Sequence, residues 1–322
     1  MPQSNPENLS APPKTRIKTS GRIKTLTGNR GGFDSLVGVG STFLFFTTEN
    51  YIQNHENVKP RVKNLYYLLT FHEKHIKYKL TMDDIVRKIS EKRAVDIGHE
   101  TLKTFSLAHN YNIWIINLFA PYIGKKILEI GSGIGNLTYY LKHFGELSCV
   151  DISDYYIAHM KIDYPDIHFY NYDVSDEAIK ILKKEQFDTV VCVNVLEHVA
   201  DDMKAVMNLR EILKPGGRLL LYVPALQFLY GSVDKNLLHY RRYNKKPLEN
   251  ILRQAGFTIE KLFYSNFIAI AGWFFNSKIQ RKKELSYWQT MLFDKFAPIF
   301  ETIESRIKPP VGMCLIAIVK KL

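Results

Sequence analysis

The hydrophobic and polar positions of this chain follow two different patterns, one before and one after about residue 120. Between residues 60 and 119, apolar residues recur at helical spacing, as in VKNLYYLLTFHEKHI and YNIWIINLF. Beyond that point, short apolar runs alternate with amphipathic stretches. These runs predict seven strands, at residues 126–130, 147–150, 167–170, 189–193, 218–223, 258–264 and 314–321.

Strands that alternate with helical stretches predict an α/β fold with a doubly wound, mostly parallel, seven-stranded sheet covered by helices on both faces. We assign this domain to residues 120–322, with a helical insert at residues 265–312 before the last strand. Residues 60–119 are expected to form a helical N-terminal cover. Residues 1–59, rich in polar and basic residues at their start, predict a poorly ordered basic extension.

Three glycines at alternate positions, Gly131, Gly133 and Gly135, follow the first strand of this domain in ILEIGSGIGNLT. A dinucleotide-binding fingerprint needs a third small residue where this chain has Asn136. The net charge of +12 is also uneven, because the middle third of the chain is acidic and lies between two basic flanks. An acidic setting disfavours a polyphosphate and tolerates a cation.

Polar residues end the strands that follow. Asp151 ends the second strand, where its carboxylate can accept hydrogen bonds from both hydroxyls of a ribose. Asp173 follows the third strand, within reach of an adenine amino group, and Asn194 follows the fourth. Acceptors for ribose and adenine without a phosphate partner suit S-adenosylmethionine, whose sulfonium centre is a cation.

This constellation resembles the class I S-adenosylmethionine-dependent methyltransferases over roughly residues 110–264 and the last strand. The resemblance implies a Rossmann-like fold, S-adenosylmethionine as cofactor, and the glycine loop beneath the methionine part. It also implies that Glu129 holds the amino group, Asp151 the ribose, Asp173 the adenine, and the backbone around Asn194 the methionyl end. An NAD-dependent oxidoreductase on a related sheet and a non-catalytic adenosylmethionine-binding module stay open as alternatives.

The loop after the fifth strand contains HYRRY and resembles that of a bacterial methyltransferase subgroup linked to cell-envelope metabolism. We interpret Arg241 and Arg242 as candidate ligands of an acceptor phosphate or carboxylate. His239, and in NVLEHVADD also His198, are candidate catalytic groups, since an imidazole can take a proton from an acceptor hydroxyl near neutral pH. Alternatively, the arginines pair with local acids such as Asp234, and the histidines only orient the loops.

We predict no metal ion. Glu197, Asp201 and Asp202 offer carboxylates, but the two aspartates are better explained as the cap and first turn of a helix, and the three cysteines lack metal-type spacing. Apolar surroundings of the cysteines predict buried thiols in a reducing compartment, hence a cytoplasmic protein.

The predicted partners are a small-molecule or lipid-linked acceptor, methylated on oxygen, in cell-envelope or secondary metabolism. Nucleic acid is not an expected partner. The insert joins aromatic residues in NFIAIAGWFF to a basic QRKK, as an interfacial segment requires. This pattern predicts peripheral contact with an anionic membrane, such as the inner membrane, while a packed lid is the alternative.

Overall fold

The computed structural model describes residues 67–69, 78–80, 98–284 and 286–322. The chain divides into two compact units, residues 1–89 and 90–322. This boundary differs from the predicted ones at 59/60 and 119/120. The predicted basic extension lies outside the described residues.

The described part of the first unit is an antiparallel strand pair, β1 (Tyr67–Leu69) and β2 (Tyr78–Leu80). The prediction of helix is therefore wrong at these positions. An apolar run as short as YYLL has no periodicity that separates helix from strand, and its tyrosines favour a strand.

The second unit is built on a seven-stranded sheet in the order β5-β4-β3-β6-β7-β9-β8. Its strands are β3 (Lys126–Ile130), β4 (Glu146–Asp151), β5 (His168–Asn171), β6 (Phe187–Val193), β7 (Leu213–Pro224), β8 (Phe257–Ser265) and β9 (Cys314–Lys321). The first five strands are parallel, and β9 runs antiparallel between β7 and β8. The predicted doubly wound, mostly parallel sheet is confirmed.

Helices flank this sheet along the chain. They are α1 (98–106), α2 (His109–Phe119), α3 (Thr138–Leu141), α4 (Asp154–Asp163), α5 (Asp202–Ile212), α6 (Ser232–Asn236), α7 (Lys245–Gln254), α8 (Ala269–Phe274) and α9 (Tyr287–Arg306). The helix predicted near 176–184 is a 3₁₀ helix, Glu177–Glu185. Within the described residues, no helix is long and apolar enough to span a membrane.

The core lies in the middle of the sheet. Residues 315–319 of β9 are fully buried, because β9 has strands on both sides and helices over both faces. The three cysteines are buried and free, as the apolar surroundings predicted.

The carboxyl ends of the five parallel strands meet at one edge of the sheet, where ligands bind in folds of this kind. Five loops follow these ends and carry the predicted site residues. The insert, between β8 and β9, contains α8, a π-helical turn (Phe275–Ile279) and α9.

Candidate functional site

The glycine loop bends sharply away from the end of β3. Gly131, Gly133 and Gly135 all have positive φ angles. At Gly131 a side chain is excluded as well, since a Cβ atom there would lie 2.3 Å from Cγ2 of Val195. Only glycine fits a left-handed backbone pressed against the loop after β6. The glycine loop and the β6 loop are thus in direct contact.

Asp151 holds the glycine loop from below. Its Oδ2 accepts a hydrogen bond from the backbone N–H of Gly133 at 2.8 Å, and its Oδ1 accepts one from Ser153 at 2.8 Å. Burial raises the pKa of Asp151, and the backbone donors oppose that rise. A carboxylate has about four lone-pair positions, so the two oxygens keep acceptor capacity for a diol.

Glu129 lies under the same loop, and its side chain is buried. Its Oε2 accepts hydrogen bonds from Thr138 Oγ1 and from Cys149 Sγ. Burial raises the pKa of Glu129 to about 7. The predicted contact with a ligand amino group therefore has to use Oε1, because Oε2 is engaged inside the protein.

The other two predicted cofactor residues lie exposed at the same edge of the sheet. Asp173 Oδ1 accepts hydrogen bonds from the backbone N–H and the hydroxyl of Ser175, both at 2.7 Å, which leaves Oδ2 for another donor. Asn194 has a φ of 52°, and its N–H donates to the Tyr222 carbonyl at 2.9 Å. The β6 loop thus starts with a left-handed turn that is joined to β7.

Sequence reasoning missed two residues at the glycine loop. Ser132 has a buried hydroxyl without a hydrogen-bond partner among the described residues. Leu102 of α1 touches the loop, since its Cδ1 lies 3.0 Å from the position of a Cβ on Gly133. Ser132 lies inside the glycine motif, whereas α1 carries no motif that signals its position.

The HYRRY loop closes over the β6 loop. The backbone N–H of Tyr240 donates to the Glu197 carbonyl at 2.8 Å. The Tyr243 hydroxyl is 2.9 Å from Asp202 Oδ2 at the start of α5. These contacts bring the predicted acceptor residues next to the loop that touches Gly131.

Three charged or titratable side chains form a buried cluster in this loop. Asp234 Oδ1 accepts hydrogen bonds from His239 Nδ1 at 3.0 Å and from Arg242 Nε at 2.7 Å. Burial would raise the pKa of Asp234, but the His239 hydrogen bond and the Arg242 charge hold it below its usual value. An ionised Asp234 can only accept, so His239 carries its proton on Nδ1 and presents Nε2 as a base.

Arg242 is completely buried, and its guanidinium lies 4.4 Å from the ring centroid of Trp273. Its Nη1 donates to the Ala225 carbonyl, while its Nη2 has no hydrogen-bond partner among the described residues. The local pairing with Asp234, which the sequence left open as the alternative, is what the structure shows. Among the nitrogen atoms of the Arg242 guanidinium, only Nη2 has no hydrogen-bond acceptor among the described residues.

Arg241 is half-buried at the rim. Its guanidinium pairs with Asp202 at 2.6 Å and donates to the Ala200 carbonyl at 2.7 Å. Asp202 is also the first residue of α5, capped by Asp201, as predicted for this pair. The pairing of Arg241 is again local.

His198 lies beside His239, with perpendicular rings and centroids 4.6 Å apart. Burial raises the pKa of Glu197 to about 7, and its Oε2 has no partner among the described residues. These three residues offer ligand atoms within 4.8 Å of one another, which suits a divalent cation. The expectation from the sequence that no metal is bound stays a prediction, and this set of three donors is the place where a metal ion would contradict it.

The comparison with known protein families agrees with this geometry. Residues 128–219, which include the glycine loop, Asp151, Asp173 and the β6 loop, match the family model described as a methyltransferase domain. Over these residues the chain is similar to methyltransferases, as the resemblance to the class I S-adenosylmethionine-dependent family implies. The cofactor of this family, S-adenosylmethionine, is therefore the ligand expected at the glycine loop.

Curated relatives match part of this chain's length. A ubiquinone biosynthesis O-methyltransferase of Coxiella burnetii is 34% identical over 120 residues, which cover 36% of this chain and 47% of the relative. One from Thiobacillus denitrificans is 28% identical over 159 residues, covering 44% and 68%. The chain thus spans only about half the length of the first of these relatives.

Among solved structures, an S-adenosylmethionine-dependent methyltransferase of Thermotoga maritima superposes with a TM-score of 0.50 at 18% identity. The match covers 70% of this chain and 99% of that one. At this identity the likeness shows a shared fold and nothing finer.

The residues present fit S-adenosylmethionine. Asp151 keeps acceptor capacity for a ribose diol. The Ser132 hydroxyl is a buried polar group in the cradle and has no partner within the part of the chain that the structure describes. Backbone with positive φ leaves room for close approach at Gly131. Such a cradle matches a cofactor bound through polar contacts, with Glu129 and Asp173 as further acceptors.

Proposed function

We propose that this protein transfers a methyl group from S-adenosylmethionine to a hydroxyl oxygen of an acceptor held between the β6 loop and the HYRRY loop. When bound, S-adenosylmethionine supplies an electrophilic methyl group. The protein's part is to hold the acceptor oxygen in line and to accept its proton, since such a displacement depends mostly on positioning.

One observation carries the proposal. The His239 imidazole is buried, oriented through Nδ1 by an ionised Asp234, and lies in a loop that contacts the cofactor-side loops. This arrangement leaves Nε2 as the proton acceptor. A base of this kind serves an acceptor that loses a proton as its oxygen is methylated. His198, packed on the His239 ring, limits how that ring can turn.

The acceptor class is inferred from two sources. The curated relatives are named O-methyltransferases, which supports oxygen as the methylated atom. The HYRRY loop supports a cell-envelope or secondary-metabolism acceptor, either a small molecule or a lipid-linked one. An anionic group of the acceptor would meet Arg241, whose guanidinium lies at the rim of the loop and is partly exposed, whereas Arg242 is completely buried and supports the loop through Asp234.

The test incubates the protein with methyl-labelled S-adenosylmethionine and with lipid and small-molecule extracts, followed by mass spectrometry. We expect label in a product that is stable to alkali, as a methyl ether is. Label in an alkali-labile ester or an amine would contradict oxygen transfer to a hydroxyl. Cofactor binding without any labelled product would instead indicate a non-catalytic module, and tight NAD binding an oxidoreductase.

A second arm examines the base. His239→Asn should lower kcat, because the group that takes the proton from the acceptor hydroxyl is gone. S-adenosylmethionine affinity should stay within about threefold of the wild type. His143→Asn, at an exposed histidine outside the loop, is the matched control. An unchanged kcat in His239→Asn would show that this residue is not the proton acceptor.

The anionic acceptor is tested at Arg241, because a substitution at this half-buried residue disturbs the fold less than one at the completely buried Arg242. Arg241→Gln should raise the KM for an anionic acceptor with little change in cofactor affinity. Equal effects on anionic and neutral acceptors would show that Arg241 only holds the loop to Asp202.

A further inference from the structure

The insert helix α9 exposes apolar side chains and turns its acids inward. The exposed residues recur at spacings of three and four along its outer face, and the last one follows the helix directly. They are Trp288 (79% exposed), Leu292 (60%), Phe296 (41%), Ile299 (55%), Ile303 (50%) and Ile307 (70%). Residues at this spacing share one face of a helix. We call this set the outer stripe.

The opposite face of α9 is fastened to the body by carboxylates. Asp294 accepts from the Tyr111 N–H at 2.8 Å and from Asn110 Nδ2 at 3.1 Å. Glu304 accepts from the N–H groups of Asn266 and Phe267 at 2.8 and 2.7 Å. These bonds fix the orientation of the helix, so the outer stripe cannot turn toward the core without breaking them.

The charges of the insert follow the same division. Glu301 is also bound inward, to Asn117 at 2.9 Å. The cations remain outside, as exposed side chains at Lys278, Arg281, Lys283, Lys295, Arg306 and Lys308. The outward surface therefore combines apolar side chains with positive charge, and the inward surface holds most of the acids.

A second exposed apolar segment runs beside α9. Phe274, Phe275 and Ile279 are 42%, 48% and 59% exposed. Asn276 Nδ2 donates to Gln289 Oε1 at 2.9 Å, which ties this segment to the first turn of α9. More than half of the exposed large apolar side chains among the described residues lie between 267 and 311. Patches of such density mark interaction surfaces.

We propose that the outer stripe and its flanking cations dock this protein peripherally on an anionic lipid surface. The apolar side chains enter the headgroup boundary while the cations meet lipid phosphates, as in interfacial helices. A second copy would bring the same cations face to face, so like charge disfavours it as the occupant. An anionic bilayer complements the charge of the surface.

The insert that carries the docking surface contacts the HYRRY loop and the helix α6 before it. Ser232 Oγ donates to the Ser277 carbonyl at 2.9 Å, and Trp273 covers the Arg242 guanidinium. Docking therefore places the loop that carries His239 close to the lipid. The docking itself does not depend on methyl transfer, so binding measurements test it separately from the proposed function.

The test is flotation of the full-length protein with vesicles of phosphatidylcholine, with or without phosphatidylglycerol. We expect flotation with the anionic vesicles at low salt, release at high salt, and none with neutral vesicles. Leu292→Glu with Ile299→Glu should lower binding more than about tenfold, since two exposed apolar side chains that enter the lipid on docking are lost. Ile162→Glu with Ile181→Glu, at exposed apolar sites outside the insert, is the matched control and should float like the wild type.

Two further measurements keep the result interpretable. Lys295→Glu with Lys308→Glu changes only exposed charges and should shift release to lower salt. S-adenosylmethionine affinity and thermal melting verify folding of every variant. Wild-type protein that stays unbound to anionic vesicles at low salt would overturn the proposal. So would unchanged flotation of the Leu292 and Ile299 variant, or a wild-type dimer that this variant dissociates and that does not bind vesicles.

Discussion

Two glutamates at the two ends of the site, Glu129 under the glycine loop and Glu197 under the HYRRY loop, have the same pKa for the same reason. Burial raises each to about 7. Their surroundings differ, because Glu129 Oε2 accepts from Thr138, whereas Glu197 Oε2 has no partner among the described residues. At the proposed cofactor end this carboxyl oxygen is hydrogen-bonded within the protein, whereas at the proposed acceptor end the corresponding oxygen has no partner among the described residues.

The difference extends to how each end is held. The cofactor end depends on backbone, through positive-φ glycines and amide donors to Asp151. The acceptor end depends on a buried charge cluster of Asp234, His239 and Arg242. We therefore expect substitutions at the acceptor end to cost more stability, and those at the cofactor end to act more on ligand binding.

The largest effect is expected at the acceptor end. Asp234→Ala leaves the Arg242 guanidinium buried without its counter-charge, which should lower the free energy of unfolding by about 3–5 kcal/mol. Urea denaturation of the wild type and the variant measures this loss of stability. Glu249→Ala removes the partner of an exposed ion pair with Arg253 and should cost less than about 1 kcal/mol. Equal losses in both variants would mean that the buried cluster is no more stabilising than a surface pair.

The two glutamates predict a pH dependence of stability. Their folded pKa of about 7 lies above the unfolded value, so the stability they contribute is complete at acid pH and is lost as pH rises to about 7. Glu197→Gln should reduce this decline by about 3 kcal/mol, since each pKa unit is worth about 1.4 kcal/mol. Unfolding free energies at pH 4.5 and 8 measure it, with cofactor absent.

Two further variants are compared with Glu197→Gln in that measurement, one as a parallel test and one as a control. Glu129→Gln should reduce the decline similarly but also disturb the bond to Thr138, whereas Glu146→Gln, at an exposed acid, should leave the decline unchanged. If Glu197→Gln retained the full decline of stability with rising pH, Glu197 would not be a buried carboxyl with a raised pKa as Glu129 is.

At the cofactor end, Gly131→Ala should cost about 2 kcal/mol of stability, because alanine is strained at positive φ and its Cβ would strike Val195. S-adenosylmethionine binding should weaken with it. Gly272→Ala has open space around the new Cβ and lies in a helix, so it should be neutral or stabilising. Thermal melting of both variants shows whether the geometry of the glycine loop contributes to the stability of the fold.

The smallest effect is expected at Asp151. Asp151→Asn keeps the shape of the side chain but loses the charged acceptor, which should weaken S-adenosylmethionine binding about tenfold, or about 1.4 kcal/mol. Isothermal calorimetry measures it, with Asp163→Asn as an exposed control. Unchanged affinity in Asp151→Asn would place the ribose elsewhere and contradict the cofactor site.

Local pattern was enough to predict the sheet and the places of the glycine loop and of the acids at its strand ends. The apolar runs of the parallel strands, the three glycines and the acids at strand ends are each short-range signals, and their order along the chain defines a doubly wound sheet. The strand β9 was predicted at its observed bounds, Cys314–Lys321, because a continuous apolar run of that length suits a buried central strand. Ser132 escaped notice although it lies within the same motif.

Local pattern failed where partners are distant in sequence. HYRRY contains two adjacent arginines, and nothing in the sequence shows that Arg242 points inward to Asp234 while Arg241 pairs with Asp202. The contact of Trp273 with Arg242 joins the insert to the HYRRY loop and is equally invisible.

By itself, the sequence determined the sheet, the glycine loop and the acids beside it, because strand periodicity and strand-to-helix turns are set by neighbouring residues. Only the tertiary structure decided which charges are buried and which face of α9 is exposed. Asp294 and Glu304 bind groups on other elements, and those contacts turn an otherwise ordinary amphipathic helix outward. Burial is a property of the folded chain, since the surroundings of a side chain depend on which other elements of the fold pack against it.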